Sequence, residues 1–208
     1  NSRKEKPMTE KEKMLSGMYY NGEDKELVKM RSDARLLTHR YNLTSFDDME
    51  QREEILKKLF KKCGKNVFIE PSFRCDYGSN ITIGDNFYAN FDCIILDVCP
   101  VTIGSNVFIA PRVCIFTATH PIDAAIRNTR LEYGKPVSIG NNVWIGGNTV
   151  INPGVVIGDG SIIGSGSVVA KDVPPNVIAA GNPCRIIREI SEADRKLCSE
   201  MYKQYLDK

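Results

Sequence analysis

Histidine is nearly absent from this 208-residue chain, which has two: His39 and His120. A three-histidine metal site therefore cannot be assembled within one copy. Charge of one sign is also missing. Lys and Arg number 28 against 26 Asp and Glu, a formal net charge of +2, whereas a nucleic-acid protein needs a dominant basic face. No apolar run approaches the ~20 residues of a membrane span. The charged opening NSRKEKPMTEKEKM has no hydrophobic stretch behind it, so no secretory signal is expected. Paired cysteines are lacking too. Cys63, Cys75, Cys93, Cys99, Cys114, Cys184 and Cys198 are odd in number and include no C-x-x-C spacing. Several sit at apolar positions of the pattern below, where a free thiol packs as a small hydrophobe. These shortages predict a reducing, cytoplasmic setting, no metal, and neither a nucleic-acid nor a membrane partner.

What is present divides the chain into a helical head over 1–63, a repeat body over 64–189 and a helical tail over 190–208. In the head, Leu27, Met30, Ala34, Leu37 and Tyr41 recur every three or four residues, one apolar helix stripe. A second helix is expected from about Ser45, with Ile55, Leu56, Leu59 and Phe60 on one side. Lys61, Lys62 and Gly64 form its predicted stop, cations in the last turn followed by glycine.

From residue 81 the periodicity changes to ITIGDN, VTIGSN, VSIGNN, VWIGGN and VVIGDG. The second aliphatic position falls at Ile83, Ala89 and Ile95, then Ile103, Ile109 and Ile115. It resumes at Ile139, Ile145 and Ile151, then Ile157, Ile163 and Val169. Spacing within each trio is six, the signature of a hexapeptide parallel β-helix. Each unit offers a short strand and a turn, with the aliphatic pointing into a narrow prism. Three units close one triangular coil, and coils stack at ~4.8 Å. Gly and Asn suit the left-handed backbone of tight corners. The pattern predicts about four coils, with partial ones at either end.

Two interruptions break the phase. Ile95 to Ile103 spans eight residues, an insertion around Cys99 and Pro100. Ile115 to Ile139 spans 24, so a protruding loop is expected at about 117–136, and it contains His120. Solenoid insertions tend to gather on one face and carry function. The tail opens with SEAD, a capping box of Ser191 and Asp194. Its stripe of Ile190, Ala193, Leu197, Met201 and Tyr205 is expected to pack on the last coils or a neighbouring subunit.

The segments YGSNITIGDNFYANFDCIILDV, ATHP and IGNNVWIGGNTVINPGVVIGDGSIIGSGSVVAKDVPPNVIAAGNPCRIIREI resemble the maltose and galactoside O-acetyltransferases, sugar acetyltransferases of the hexapeptide-repeat superfamily. The resemblance runs from about Met8 to Ile190. Hexapeptides alone indicate the superfamily, whereas NFYANFD, ATHP and GNPCRIIREI narrow it to this family. Asp76 and the NFDCIILDVCP run lean toward the maltose-type members. The resemblance implies a mainly β fold, a left-handed parallel β-helix, although parallel crossovers are normally right-handed. It also implies a homotrimer in which acetyl-CoA, a co-substrate rather than a resident cofactor, meets a sugar between adjacent subunits.

Transfer of an acetyl group from a thioester to a weakly nucleophilic sugar hydroxyl needs a base, and histidine titrates in the right range. His120 matches the family's catalytic histidine within ATHP, and Pro121 biases it to extended backbone. His39, inside LLTHRYN, reads as structural. By the same resemblance the backbone amide of Gly147 stabilises the oxyanion, a contribution of ~3 kcal/mol. Asp76, Tyr88, Asn90 and Asp97 are expected to line the acceptor pocket. Galactoside-type members carry an acidic acceptor residue where this chain has Val98; Asp97 either substitutes for it or orients a neighbour. Trp144, Gly147, Ser165, Ala170, Lys171, Arg185 and Arg188 map to acetyl-CoA, with the three cations suited to its phosphates. Taken singly, these cations also read as a solvated basic stretch, and Trp144 as packing between subunits. Three alternatives remain: a β-helical acyltransferase for an antibiotic, amino acid or nucleotide sugar; a γ-type carbonic anhydrase, disfavoured by two histidines; and a non-catalytic β-helical scaffold.

Overall fold

The computed structural model describes residues 7–207. The first six residues of the predicted head and the last of the predicted tail lie outside that range.

The head is three helices rather than two: α1 (Glu10–Leu15), α2 (Lys25–Asn42) and α3 (Met49–Leu59), with a strand at Tyr20–Asn21 after α1. Thr9, Asp24 and Asp48 cap the three N-termini. Helix α3 starts later than Ser45 and ends sooner than Lys62. Phe60 is already extended, and Lys62–Cys63 form the first strand of the body. Gly64 is thus not a helix stop. It lies against the next coil, where an added Cβ would meet the Gly84 carbonyl oxygen at 2.3 Å.

The body is a left-handed β-helix of three parallel faces. The first stacks Lys62–Cys63, Ile81–Ile83, Val101–Ile103, Val137–Ile139 and Val156–Ile157. The second stacks Phe68–Ile69, Tyr88–Ala89, Phe108–Ile109, Trp144–Ile145, Ile162–Ile163 and Val177–Ala180, and Arg185–Glu189 then folds back antiparallel on the last of these. The third stacks Arg74–Cys75, Ile94–Leu96, Cys114–Phe116, Val150–Ile151 and Val168–Val169. This makes five complete coils and part of a sixth, because the expected partial coil before Ile83 is complete, with Ile69 and Cys75 buried in it. All twelve sequence-predicted inward positions, from Ile83 to Val169, are buried. Asn66, Asn86, Asn106 and Asn142 repeat at one corner with φ of 55 to 58°. Their side-chain amides form a ladder of 2.9, 3.0 and 3.1 Å hydrogen bonds. Asparagine tolerates that backbone, and its amide satisfies the next coil's.

Two side chains dock the head on the first coil. The Tyr41 hydroxyl donates to the Ile69 carbonyl at 2.5 Å, and the buried Arg52 Nη2 donates to the same oxygen at 2.7 Å. At the other end, Ser191 and Asp194 form the expected capping box of α5 (Glu192–Leu206). No residue of α5 is buried, and Met201 and Tyr205 are 62% and 74% exposed. The tail therefore does not pack on the last coils of its own chain.

Candidate active site

The insertions gather at one vertex of the prism, between the third and first faces. The step from Cys75 to Ile83 is eight residues, as is Ile95 to Ile103, and Ile115 to Ile139 is 24, whereas Ile151 to Ile157 is six. Three successive coils are thus widened at the same corner. Two residues past the inward Cys75, Ile95 and Ile115 stand Tyr77, Asp97 and Thr117, all buried. Asp97 accepts backbone N–H bonds from Asp76 (3.1 Å), Tyr77 (2.9 Å) and Asn80 (3.3 Å). One coil further on, the Thr117 hydroxyl likewise serves the coil below it, accepting from the Cys99 N–H at 3.0 Å. Burial pushes the Asp97 carboxyl up to about 7, with the backbone N–H bonds opposing and the charge of Asp76 adding. Asp97 is 0% exposed, so it does not line an acceptor pocket as expected. A carboxylate at this register is consumed by the widened backbone of the coil below.

The 24-residue step is an ordered hairpin. Ala118–Thr119 pairs antiparallel with Leu131–Gly134, and Tyr20–Asn21 of the head adds a third strand against Leu131 and Glu132. Between the hairpin arms, Asp123 caps the short α4 (Ala124–Arg127). Arg127 Nη1 donates to the carbonyls of Pro121 and Ile122, each at 2.9 Å, fixing the backbone just after His120. His120 is exposed, on a cavity of about 360 Å³ lined also by Gly22, Glu23, Arg127, Arg130 and Glu132. The Tyr20 hydroxyl donates to Glu132 Oε2 at 2.7 Å. Burial, then this bond, raises the Tyr20 pKa well beyond the ordinary phenol range, which keeps it a donor. Asp76 is half-buried and raised by burial, with Arg31 and Arg35 opposing and Glu132 adding. Asp76 and Glu132 therefore share one electrostatic neighbourhood. Arg31, in turn, donates to the Tyr77 hydroxyl at 2.8 Å. His39 lines a different depression, with Arg35, Arg74 and Asp76.

The other predicted residues lie elsewhere. Tyr88, Asn90 and Trp144 line a cavity of about 440 Å³ on the second face, with Phe108 and Ala110. Phe68, Tyr88, Phe108 and Trp144 stack in register as an outward aromatic ladder. Gly147 follows this face at its corner with the third, and its N–H has no hydrogen-bond partner among the described residues. Ser165 lies directly over the neighbouring Gly146, whose added Cβ would meet the Ser165 nitrogen at 2.5 Å. Ser165 and Ala170 are exposed. Lys171 and Arg185, both exposed, flank a depression of about 380 Å³. Arg188 is engaged by Asp194 at 2.5 and 2.9 Å.

A triangular section makes the consequence plain. The vertex bearing His120 and Asp76 is opposite the second face, which bears Tyr88, Asn90 and Trp144. One chain does not bring these two groups together. Glu132, Tyr20 and Arg127 are additions the sequence did not reveal. Nothing in the loop's sequence marks for Glu132 a partner 112 residues earlier.

Among the described residues no group of three or more His, Cys, Asp or Glu side chains is placed to hold a metal ion. No helix there is long and apolar enough to cross a membrane. Residues 13–64 match the maltose acetyltransferase hexapeptide capping motif, and 136–171 the bacterial transferase hexapeptide of six repeats. The galactoside O-acetyltransferase of Escherichia coli (strain K12) is 46% identical over 197 residues, covering 95% of this chain and 96% of that protein. The crystal structure of a maltose O-acetyltransferase from Clostridium difficile 630 is 57% identical with a TM-score of 0.88, covering 90% of this chain and all of that one. A galactoside acetyltransferase in complex with coenzyme A is 46% identical, also at 0.88, covering 91% and 94%. The chain is an acyltransferase belonging to the maltose and galactoside O-acetyltransferase family.

Proposed function

We propose that the protein transfers the acetyl group of acetyl-CoA to a hydroxyl of a small sugar such as maltose, glucose or a galactoside, in a site completed between copies of a homotrimer. The observation that carries this reading is His120, the exposed imidazole of an otherwise pinned hairpin at the one widened vertex. His120 takes the hydroxyl proton as the sugar oxygen attacks the thioester carbon. The oxyanion so formed is met by a preorganised backbone donor, the unpartnered Gly147 N–H of the neighbouring copy. Collapse breaks the C–S bond, and the imidazolium returns its proton to the departing thiolate. No acyl-enzyme is formed. Asp76, Tyr88 and Asn90 hold the acceptor, while Trp144, Ser165 and Ala170 border the pantetheine arm. Lys171, Arg185 and Arg188 face the phosphates, Arg188 after exchanging Asp194 for them. The seven free thiols suit a reducing cytoplasm.

The test is release of free CoA thiol with maltose, glucose, galactosides and chloramphenicol as acceptors, for the native chain and His120→Ala. Sugar turnover is expected, falling by several orders of magnitude in kcat in the variant with its fold intact. Turnover of the drug alone, or an unimpaired variant, overturns the assignment.

A further inference from the structure

The acceptor site lacks the carboxylate that the family resemblance led one to expect. Val98 stands at that position and is buried among Met14, Tyr20, Leu27 and Tyr77 under the head, while Asp97 is fully enclosed. A different carboxylate faces the His120 cavity. Thr119 pairs with Tyr133 across the hairpin, and the next residues along the two arms, His120 and Glu132, line the same cavity. Tyr20 pairs with Glu132 from the other side. Tyr20 and Glu132 are therefore directly opposed residues of neighbouring strands, which share a face. The Tyr20 hydroxyl engages Glu132 Oε2. A carboxylate has about four acceptor positions, so most of this one's capacity remains for a ligand. Gly22, whose missing side chain would lie 3.6 Å from the carboxylate, leaves the approach open. A carboxylate accepts without donating, which suits vicinal sugar hydroxyls.

We propose that Glu132 is a specificity-determining residue of the acceptor site: held by the Tyr20 hydroxyl, its carboxylate accepts hydrogen bonds from the sugar hydroxyls beside the one acetylated. Tyr20 is the positioning residue that selects the carboxylate's orientation. This inference rests on the sugar acetyltransferase reading, and the native chain's sugar turnover is the control that separates the two.

The experiment compares the native chain, Glu132→Gln and Tyr20→Phe on glucose and its monodeoxy analogues, with acetyl-CoA also varied. Removing a hydrogen bond to a charged group in such a site costs about tenfold or more. Glu132→Gln is expected to raise the KM for glucose at least tenfold and leave that for acetyl-CoA within twofold. At one ring position the native chain rejects the deoxy sugar, and Glu132→Gln no longer distinguishes it from glucose. Tyr20→Phe raises the glucose KM less, and its effect largely vanishes in the Glu132→Gln background. If Glu132→Gln lowers kcat with an unchanged sugar KM, Glu132 acts on His120 and the proposal fails. Equal penalties on every deoxy sugar also overturn it. No sugar turnover by the native chain overturns the underlying reading itself.

Discussion

The carboxylate of Asp97 holds the main chain of Asp76, accepting its N–H at 3.1 Å and that of Tyr77 at 2.9 Å. The half-buried carboxyl of Asp76 is thus displayed by a second carboxyl buried beneath it. Asp97 titrates at about 7 in the folded chain, because burial outweighs the bonds it accepts, against about 3.9 in an unfolded one. Between those values the native state binds more protons than the unfolded state. Stability therefore falls as pH rises from about 4 to about 7, and levels above that. Asp76, also raised by burial, acts in the same direction. In Asp97→Asn this slope should shrink without vanishing. The amide also presents NH2 toward backbone N–H groups, at a cost of about 1–3 kcal/mol. Urea unfolding at several pH values reads both effects, and equal slopes in the two proteins contradict the assignment.

Coil stacking sets a second expectation. Alanine at Gly64 would place its Cβ 2.3 Å from the Gly84 carbonyl, which is backbone and cannot turn away. At Gly166, with φ of 72°, nothing lies within 4 Å of an added Cβ. Gly64→Ala is therefore expected to cost about 1–3 kcal/mol through overpacking. Gly166→Ala carries only backbone strain, about 1–2 kcal/mol. The ordering of urea midpoints decides, and Gly166→Ala as the worse variant refutes the close approach.

The difference between those glycines shows what the sequence could disclose. Inward positions such as Ile103 and Ile145 were legible because period and burial coincide in a solenoid. Gly64 was misread because cations followed by glycine end helices as readily as they turn a prism corner. The widening after Cys75 was present as an eight-residue step, but the coil containing it has Cys63, Ile69 and Cys75 in place of the isoleucines. Asp97 is expected in the acceptor pocket from the resemblance, whereas alternation from the inward Ile95 already turns its side chain into the prism. The Tyr20–Glu132 bond depends on a strand of two residues, too short to leave a pattern. His120 was found by its motif, and its cavity required the hairpin.

The joint between head and body is equally specific. Arg52 is 3% exposed and lies over the rings of Tyr41 and Phe68, at 4.9 and 5.0 Å. Its Nη2 donates to Ile69 and to the Tyr41 hydroxyl. Arg52→Met keeps the bulk and removes the donors, a loss of about 1–3 kcal/mol. The head should open locally before the prism does. Hydrogen exchange is then expected to speed in α2 and α3 while the strands around Ile109 and Ile145 keep their protection. Uniform acceleration throughout the chain contradicts this.

The prism's geometry makes the strongest demand. His120 stands at the vertex opposite the face that carries Asn90 and Trp144, so under the proposed reaction a productive site takes its base from one copy and its Asn90–Trp144 wall from another. A chain carrying His120→Ala and a chain carrying Asn90→Ala with Trp144→Ala should each be nearly inactive alone. When the two are co-expressed and assemble at random, a site is intact if its base comes from the second chain and its wall from the first. Each condition is met half the time, so about a quarter of the sites recover in a closed ring of identical interfaces. The measurement is acetyl transfer by the mixed assembly against each parent at equal protein. A site contained within one chain gives no recovery at any ratio, because each copy would carry its own defect.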